Sequence, residues 1–382
     1  MKVSFIHGIC VRYDAISNAI ADEIGWLREA GHEVRLYTSY CDRPQLPHIL
    51  AQAIKEIVYD AHFQHSDLVI FHFGIYYPLF DLLPVAPRRA RRIVVFHNIT
   101  PKALAGPGQH AVIARSFEQI GNIMFADHVI CDSDSNLQVL RAARITTPAT
   151  VLPLAVRGGA LPVVRKPGAG DGIVRLAFIG RLVPSKGPDD LLAALRYLLR
   201  RDGALRIALD IVANLAFSDA AVLARLRDAI DALPATFGNR VTLRLHGNAD
   251  DTLKQRILSE ADLFVLPTYH EGFCVPIVEA LASGCKVVSY ANSNVPAICG
   301  GLARLAPTGD IAALTAAIAE TIGEINSPAW QAGGPGSFAD FSARAWRYAQ
   351  EYAPDTVKLR YTGLLDCLVR AHRQDAGARG PG

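Results

Sequence analysis

Two glutamates, Glu271 and Glu279, are separated by seven residues in a stretch whose neighbours are Tyr269, His270, Gly272, Phe273 and Cys274. Carboxylates placed this way can grip vicinal hydroxyls, or favour positive charge developing on a carbon that is losing a leaving group. A second constellation lies upstream, where Arg181 and Lys186 sit between Gly180 and Gly187. Arginine forks across phosphate oxygens, lysine acts as a point charge, and a glycine lets backbone come close to phosphate. Such cations would bind a diphosphate and stabilise its charge as it departs.

These side chains need elements to hold them. Residues 263–266 form an apolar run too brief for a helix and right for a buried parallel strand. Pro267 ends it, Pro276 suits a first helical turn, Gly284 closes that helix, and 286–290 read as the next strand. In open parallel sheets, ligands bind beyond the carboxyl ends of strands, where helix N-termini point amides at phosphates. With part of the connection extended and part helical, Glu271 and Glu279 fall on the order of 12–18 Å apart along one wall. That span suits a nucleotide sugar, with one carboxylate at the hexose and the other at the ribose. Upstream, 174–178 is a strand, Gly180 follows it, and Asp189 or Asp190 starts the next helix.

At 382 residues the chain calls for two domains, placed at 1–156 and 173–340, with 341–372 as helices packing back toward the first domain and 373–382 as a disordered tail. The Gly- and Pro-rich segment 157–172 reads as a flexible linker. Its Gly168-Ala169-Gly170-Asp171-Gly172 imitates a phosphate loop but precedes a strand instead of following one. Half the residues are apolar, yet no run of 18 uncharged apolar residues occurs, so no transmembrane helix is expected. The first residues lack a signal-peptide pattern, and seven scattered cysteines without a CxxC pair suit reduced thiols; both point to a cytoplasmic protein. A net charge of +3 is too small to imply nucleic acid.

The first half opens with a strand at 1–6, a helix starting near Asp14 or Ser17, and a strand at 33–37, but carries no GxGxxG after its first strand. Further strands are expected at 68–73, 93–96, 126–131 and 150–156. His97 follows one of them and points into the site by the same carboxyl-end logic. Arg88, Arg89, Arg91 and Arg92 form a basic cluster suited to anionic lipid headgroups, hence a possible peripheral contact with the inner face of a membrane. Asp132-Ser133-Asp134 has the spelling of a metal motif but serves better as a helix cap, so no metal and no cofactor beyond the donor substrate is expected.

His270-Glu271-Gly272-Phe273, then Pro276 and Glu279-Ala280, resembles the Glu-x7-Glu signature of retaining GT-B glycosyltransferases of the family-4 type, the glycosyl transferases group 1. Gly180-Arg181 through Lys186-Gly187 resembles the phosphate motif of the same family, and the resemblance is dense from 174 to 300 and thin before it. It implies an α/β protein of two Rossmann-like doubly wound domains facing across a cleft, with a C-terminal helix crossing back to the first. The second domain would bind the nucleotide sugar through Gly180, Arg181, Lys186, Glu271, Gly272, Phe273, Cys274 and Glu279, with Gly247 and Asn248 beside the base. The first would bind the acceptor, with Gly8 where the two substrates meet and His97 near the reacting sugar. Transfer would proceed with retention and without metal, through an oxocarbenium-like centre. His97-Asn98-Ile99-Thr100-Pro101 is reminiscent of mannosyltransferases of surface polysaccharide assembly, making GDP-mannose the first expectation for the donor and a glycan or lipid-linked molecule that for the acceptor. UDP-glucose, UDP-galactose or UDP-N-acetylglucosamine as donor, a phosphorylase, an epimerase and a non-catalytic partner subunit remain alternatives.

Overall fold

The computed structural model describes residues 1–166 and 170–378. Gly168 and Ala169 of the phosphate-loop look-alike, and the last four residues of the expected tail, therefore lie outside the described residues. From 373 to 378 that expected tail continues the C-terminal helix.

In the first half the strands are β1 (Lys2–Ile6), β2 (Ile9–Cys10), β3 (Glu33–Thr38), β4 (Tyr40–Cys41), β5 (His48–Leu50), β6 (Leu68–Phe73), β7 (Arg91–Phe96), β8 (His128–Cys131) and β9 (Ala149–Val151). Seven of them make one parallel sheet in the order β5-β3-β1-β6-β7-β8-β9, while β2 pairs with β4. The second half contributes β10 (Val174–Ile179), β11 (Ile207–Ala213), β12 (Val241–Gly247), β13 (Leu263–Leu266), β14 (Lys286–Tyr290) and β15 (Ala303–Ala306). They form a parallel sheet in the order β12-β11-β10-β13-β14-β15. Every residue of β6 and β13 is buried, as a parallel strand covered by helices on both faces requires. Both orders reverse once, between β1 and β6 and between β10 and β13. This reversal is the doubly wound arrangement, and it opens a crevice at the carboxyl ends of the strands flanking it.

The chain divides into two units. One comprises Met1–Lys102, Pro107–Ala155 and the segment from Pro354 on; the other comprises Ala103–Gly106 and Val156–Ala353. The helix Pro354–Ala378 belongs to the first unit, where Val357, Tyr361 and Leu365 join a core with Phe5, Ile24 and Ile70. The preceding helix, Phe338–Ala349, does not return with it, contrary to the 341–372 expectation. Its buried residues Phe341, Ala345 and Ala349 fall four apart on one face, and its Phe338 and Ser342 sit against Gly284 of the second unit. The switch comes at Pro354, a natural first helical residue.

The described part of 157–172 is not a loose hinge either. Trp346 donates its indole N–H to Gly159 O (2.9 Å), and the buried Lys166 ammonium donates to Leu258 O (2.9 Å) and Ser283 O (2.6 Å). A buried ammonium held by carbonyls fixes the segment along the second unit, because leaving those partners would strand the charge. Four strands escaped the sequence reading. β2, β4, β5 and β15 are short and largely unburied, so they lack an apolar run to announce them.

Candidate functional site

In the second unit, the loops that leave β10 and β13 meet. Gly187 makes this possible. It has φ +64°, and a Cβ there would come within 2.1 Å of Pro267 O, so only glycine allows the backbones this close. Ser185 O accepts from Tyr269 N (2.8 Å) and from Thr268 Oγ1 (3.1 Å), clamping one loop on the other. Tyr269 and Tyr290 both donate to Asp190 Oδ2 at 2.7 Å, tying the second loop to the helix Pro188–Arg201. The result is a direct contact between two residues 85 positions apart: Lys186 Nζ donates to Glu271 Oε1 at 2.5 Å. Arg181 stands exposed nearby in sequence and has no ionic partner among the described residues, which leaves its guanidinium available for an anion.

Glu279 lies one element further on, in the helix Val275–Ala282, and is 6% exposed. Lys254 Nζ, from the helix Asp251–Glu260, donates to its Oε1 at 2.6 Å and also pairs with Asp251 at 3.2 Å. Burial pushes the Glu279 carboxyl above the usual range, and Lys254 pulls it only part of the way back. On Lys254, burial acts downward, but Glu279 and Asp251 outweigh it and raise the ammonium. Lys254→Met should cost about 2 kcal/mol of unfolding free energy, less than a stranded charge would because Glu279 can take up a proton. Glu279 is raised above the ordinary carboxylate range with Lys254 and further without it, so the deficit should be full at alkaline pH and shrink as pH falls through the interval above that range. Urea midpoints at two pH values test this; an equal deficit at both would refute it.

The helix Val275–Ala282 starts from an unusual residue. Cys274 adopts φ 80° and ψ 61°, the left-handed region that a non-glycine residue occupies at a cost of about 1–2 kcal/mol. The turn is stabilised by Asn294 Nδ2, which donates to Phe273 O at 2.9 Å, and by the Phe273 ring, 5.7 Å from that of Tyr352. Burial pushes the Cys274 thiol well above its usual range, which makes it a packing group and not a nucleophile. Gly272 adjoins this turn. Gly180, by contrast, is not required by packing, since a Cβ there meets its first neighbour at 3.6 Å.

Gly247 ends β12, packed so that a Cβ would meet Leu215 Cδ1 at 2.7 Å; Asn248, at φ 51°, accepts from Leu215 N at 3.3 Å. In the first unit, Gly8 follows β1, where a Cβ would press on Tyr77 Cβ at 2.9 Å. His97 sits where expected, just after β7, but its ring is 3% exposed and both nitrogens are engaged. Nδ1 lies 2.7 Å from Asp132 Oδ2 and Nε2 lies 2.9 Å from His72 Nδ1. The Asp132-Ser133-Asp134 stretch caps a helix as expected. Ser133 caps Asp134–Ala142, leaving the Asp132 carboxylate to His97. The basic cluster also thins out, since Arg92 pairs with Asp127 at 2.7 Å and Arg91 is half-buried, leaving Arg88 and Arg89 exposed.

Sequence reasoning missed Lys254, Asp190, Tyr290, Asn294 and His72. Lys254 lies 25 positions before Glu279 on a helix whose buried residues are Ile257 and Leu258, and nothing local distinguishes it from a solvated lysine. Among the described residues no group of three or more His, Cys, Asp or Glu side chains is arranged to hold a metal ion. No helix of the described residues is long and apolar enough to cross a membrane.

Residues 174–324 match the family model described as glycosyl transferases group 1. The D-inositol 3-phosphate glycosyltransferase of Streptomyces griseus subsp. griseus is 28% identical over 216 residues, 54% of this chain and 42% of that protein. The match thus spans about two fifths of the relative's length. Among solved structures, sucrose-phosphate synthase from Thermosynechococcus elongatus superposes with a TM-score of 0.73 at 17% identity, covering 97% of this chain and 99% of that one. Anabaena HepE, in complex with UDP and glucose, gives 0.67 at 16% identity over 96% and 100% of the two chains. The fold is therefore the two-sheet, Rossmann-like arrangement of GT-B proteins, and the second unit contains the residues, 174–324, that are similar to glycosyl transferases group 1.

Proposed function

We propose that this protein transfers a hexose from a nucleotide-diphosphate sugar to a hydroxyl acceptor. The observation that supports this reading is the Lys186–Glu271 contact, which puts a cation suited to a phosphate and a carboxylate suited to a sugar side by side at the sheet's switch point. Arg181 and Lys186 would hold the diphosphate and stabilise its charge as the glycosidic bond to phosphate breaks. Glu271 would orient the hexose and favour positive charge on its anomeric carbon. Glu279, oriented by Lys254, would take the ribose hydroxyls; Gly180 and the Gly272-Phe273-Cys274 turn would bring backbone amides to the diphosphate; Gly247 and Asn248 would border the base. Two lysine-paired carboxylates and a free arginine supply these roles without a divalent metal, and retention of the anomeric configuration is the stereochemistry this reading carries.

For the donor, UDP-hexoses come ahead of GDP-mannose, since the similar HepE structure holds UDP and glucose. The first unit would bind a glycan or lipid-linked acceptor, with Gly8 and the loop after His97 near it. His97 would act through its neighbours, because its ring nitrogens are both occupied. Arg88 and Arg89 are the exposed cations that would face an anionic lipid surface. Thermal-shift measurements against UDP- and GDP-sugars with EDTA present test the proposal. Stabilisation by at least one of them is expected; none would overturn the transferase reading, and strict Mg²⁺ dependence of turnover would overturn the metal-free mechanism.

A further inference from the structure

A line of buried titratable groups crosses the first unit. Tyr361, on the helix Pro354–Ala378, donates its hydroxyl to Glu23 Oε2 at 2.6 Å. Glu23, on the helix Ala15–Glu29, places the same oxygen 3.1 Å from His72 Nε2. His72 Nδ1 is 2.9 Å from His97 Nε2, with the two rings stacked 16° from parallel, and His97 Nδ1 is 2.7 Å from Asp132 Oδ2. Glu23, His72 and Asp132 are 6%, 0% and 3% exposed. Each contact is within hydrogen-bond range, so each must hold a proton.

That requirement, together with a fully buried His72 ring that burial keeps uncharged, restricts the chain to two arrangements. His97 Nδ1, facing a carboxylate, carries its proton in both. In the first, Glu23 is protonated and donates to His72 Nε2, while His72 Nδ1–H donates to a neutral His97. In the second, the Glu23 proton has moved to His72 Nε2 and the His72 Nδ1 proton has moved to His97 Nε2. Glu23 is then an anion, His97 a cation, and His72 remains neutral in its other tautomer. No proton is gained or lost.

The surroundings bring the two arrangements close in energy. Burial pushes the Glu23 carboxyl up to about 7, with Tyr361 pulling it back in part. On His97, burial acts downward, but Asp132, Glu23 and Asp14 outweigh it and raise the ring. His72 is held far below its ordinary value by burial and by His97. His7, just after β1, is lowered to about 3 by burial and by His72, and so contributes no charge. A small cavity lined by Asp22, Glu23, Trp26, Asp132 and Tyr361 touches both ends of the chain of contacts.

We propose that Glu23, His72 and His97 share one mobile proton between Tyr361 and Asp132, which makes Glu23 and His72 positioning residues that set the charge of His97, and makes the C-terminal helix a partner in setting it. The consequence for turnover rests on the proposed transferase reading; the shared proton itself does not.

Histidine side-chain ¹⁵N spectra of the full-length protein provide the test, with the His97 signals assigned from His97→Gln. In wild type, the two His72 nitrogens should both show shifts between the protonated and bare values, because its tautomers exchange. A single fixed His72 tautomer would overturn the proposal. In Glu23→Gln the amide can donate to His72 but cannot give up a proton, so His97 should stay neutral with its midpoint lowered by about one unit or more. Tyr361→Phe should lower it in the same direction by less. Glu29→Gln, which removes the exposed partner of Lys358 on the same helix pair, should leave it unchanged and thereby separate proton sharing from helix docking. An unmoved His97 midpoint in both Glu23→Gln and Tyr361→Phe would refute the inference. Linkage gives a second readout. A buried carboxyl raised from its ordinary range to about 7 binds more protons folded than unfolded, so wild-type stability should fall as pH rises through that interval, and Glu23→Gln should flatten the fall. If turnover is found, its pH profile should shift in Glu23→Gln while the donor KM holds. If no sugar nucleotide binds, the transferase reading fails and the ¹⁵N result still stands.

Discussion

Gly187→Ala should lose at least about 3 kcal/mol of stability, in the range reserved for steric conflict with fixed backbone. The left-handed φ of +64° contributes about 1 kcal/mol on its own, since an L side chain crowds the next carbonyl there. The larger part comes from the 2.1 Å approach of the new Cβ to Pro267 O. A flexible side chain could swing aside, but this is a carbonyl at the exit of a buried strand. Relief requires the loops after β10 and β13 to separate, and with them Ser185 from Tyr269 and Lys186 from Glu271. Chemical denaturation would register the loss, and protein that remains folded should bind donor weakly. A midpoint equal to wild type would show that the two loops are not held as described. Gly180→Ala is the natural comparison. Its Cβ finds 3.6 Å of room, so it should fold normally, and any weakening of donor binding would report the ligand's proximity alone.

Lys186→Ala should lower turnover by on the order of 10²-fold or more, the usual consequence of removing one preorganised charge from a developing anion. The structure adds a complication, because the same substitution leaves Glu271, 8% exposed, without its lysine. Part of any loss could then come from a displaced carboxylate. Glu271→Gln separates the two effects. If Lys186 acts mainly on the diphosphate, the losses of Lys186→Ala and Glu271→Gln should multiply in the double variant. If it acts mainly by restraining Glu271, the double variant should resemble Glu271→Gln. Initial rates with the donor identified by thermal shift provide the measurement, and near-wild-type turnover of Lys186→Ala would show that the phosphate role is wrong.

Much of the second unit was legible because its elements announce themselves locally. The run Leu263–Leu266 is entirely apolar, the prolines at 267 and 276 bracket a loop, and the cations at 181 and 186 follow a strand ending at Ile179. Periodicity and turn chemistry act over a few residues, so such features survive in the one-dimensional string. The C-terminal helices were harder. Phe341, Ala345 and Ala349 show only that an apolar face exists, and the identity of the surface that covers it is decided by the volume left beside Gly284. The linker misled for a related reason. Glycine and proline signal freedom from regular structure, but Lys166 finds three partners more than 90 positions away and is fixed by them.

From the sequence alone came the strand–loop–helix order, the pair of glutamates and the two cations that follow β10, because each depends on neighbours along the chain. Tertiary structure alone decided how those groups pair. Lys186 meets Glu271, Lys254 meets Glu279, and His97 surrenders both ring nitrogens to Asp132 and His72. A charge is stabilised by what lies within about 3 Å of it, and in a parallel sheet the residues within that distance come from strands separated by whole helical crossovers. Residue types could therefore name the chemistry, while only the fold could assign each charge its partner.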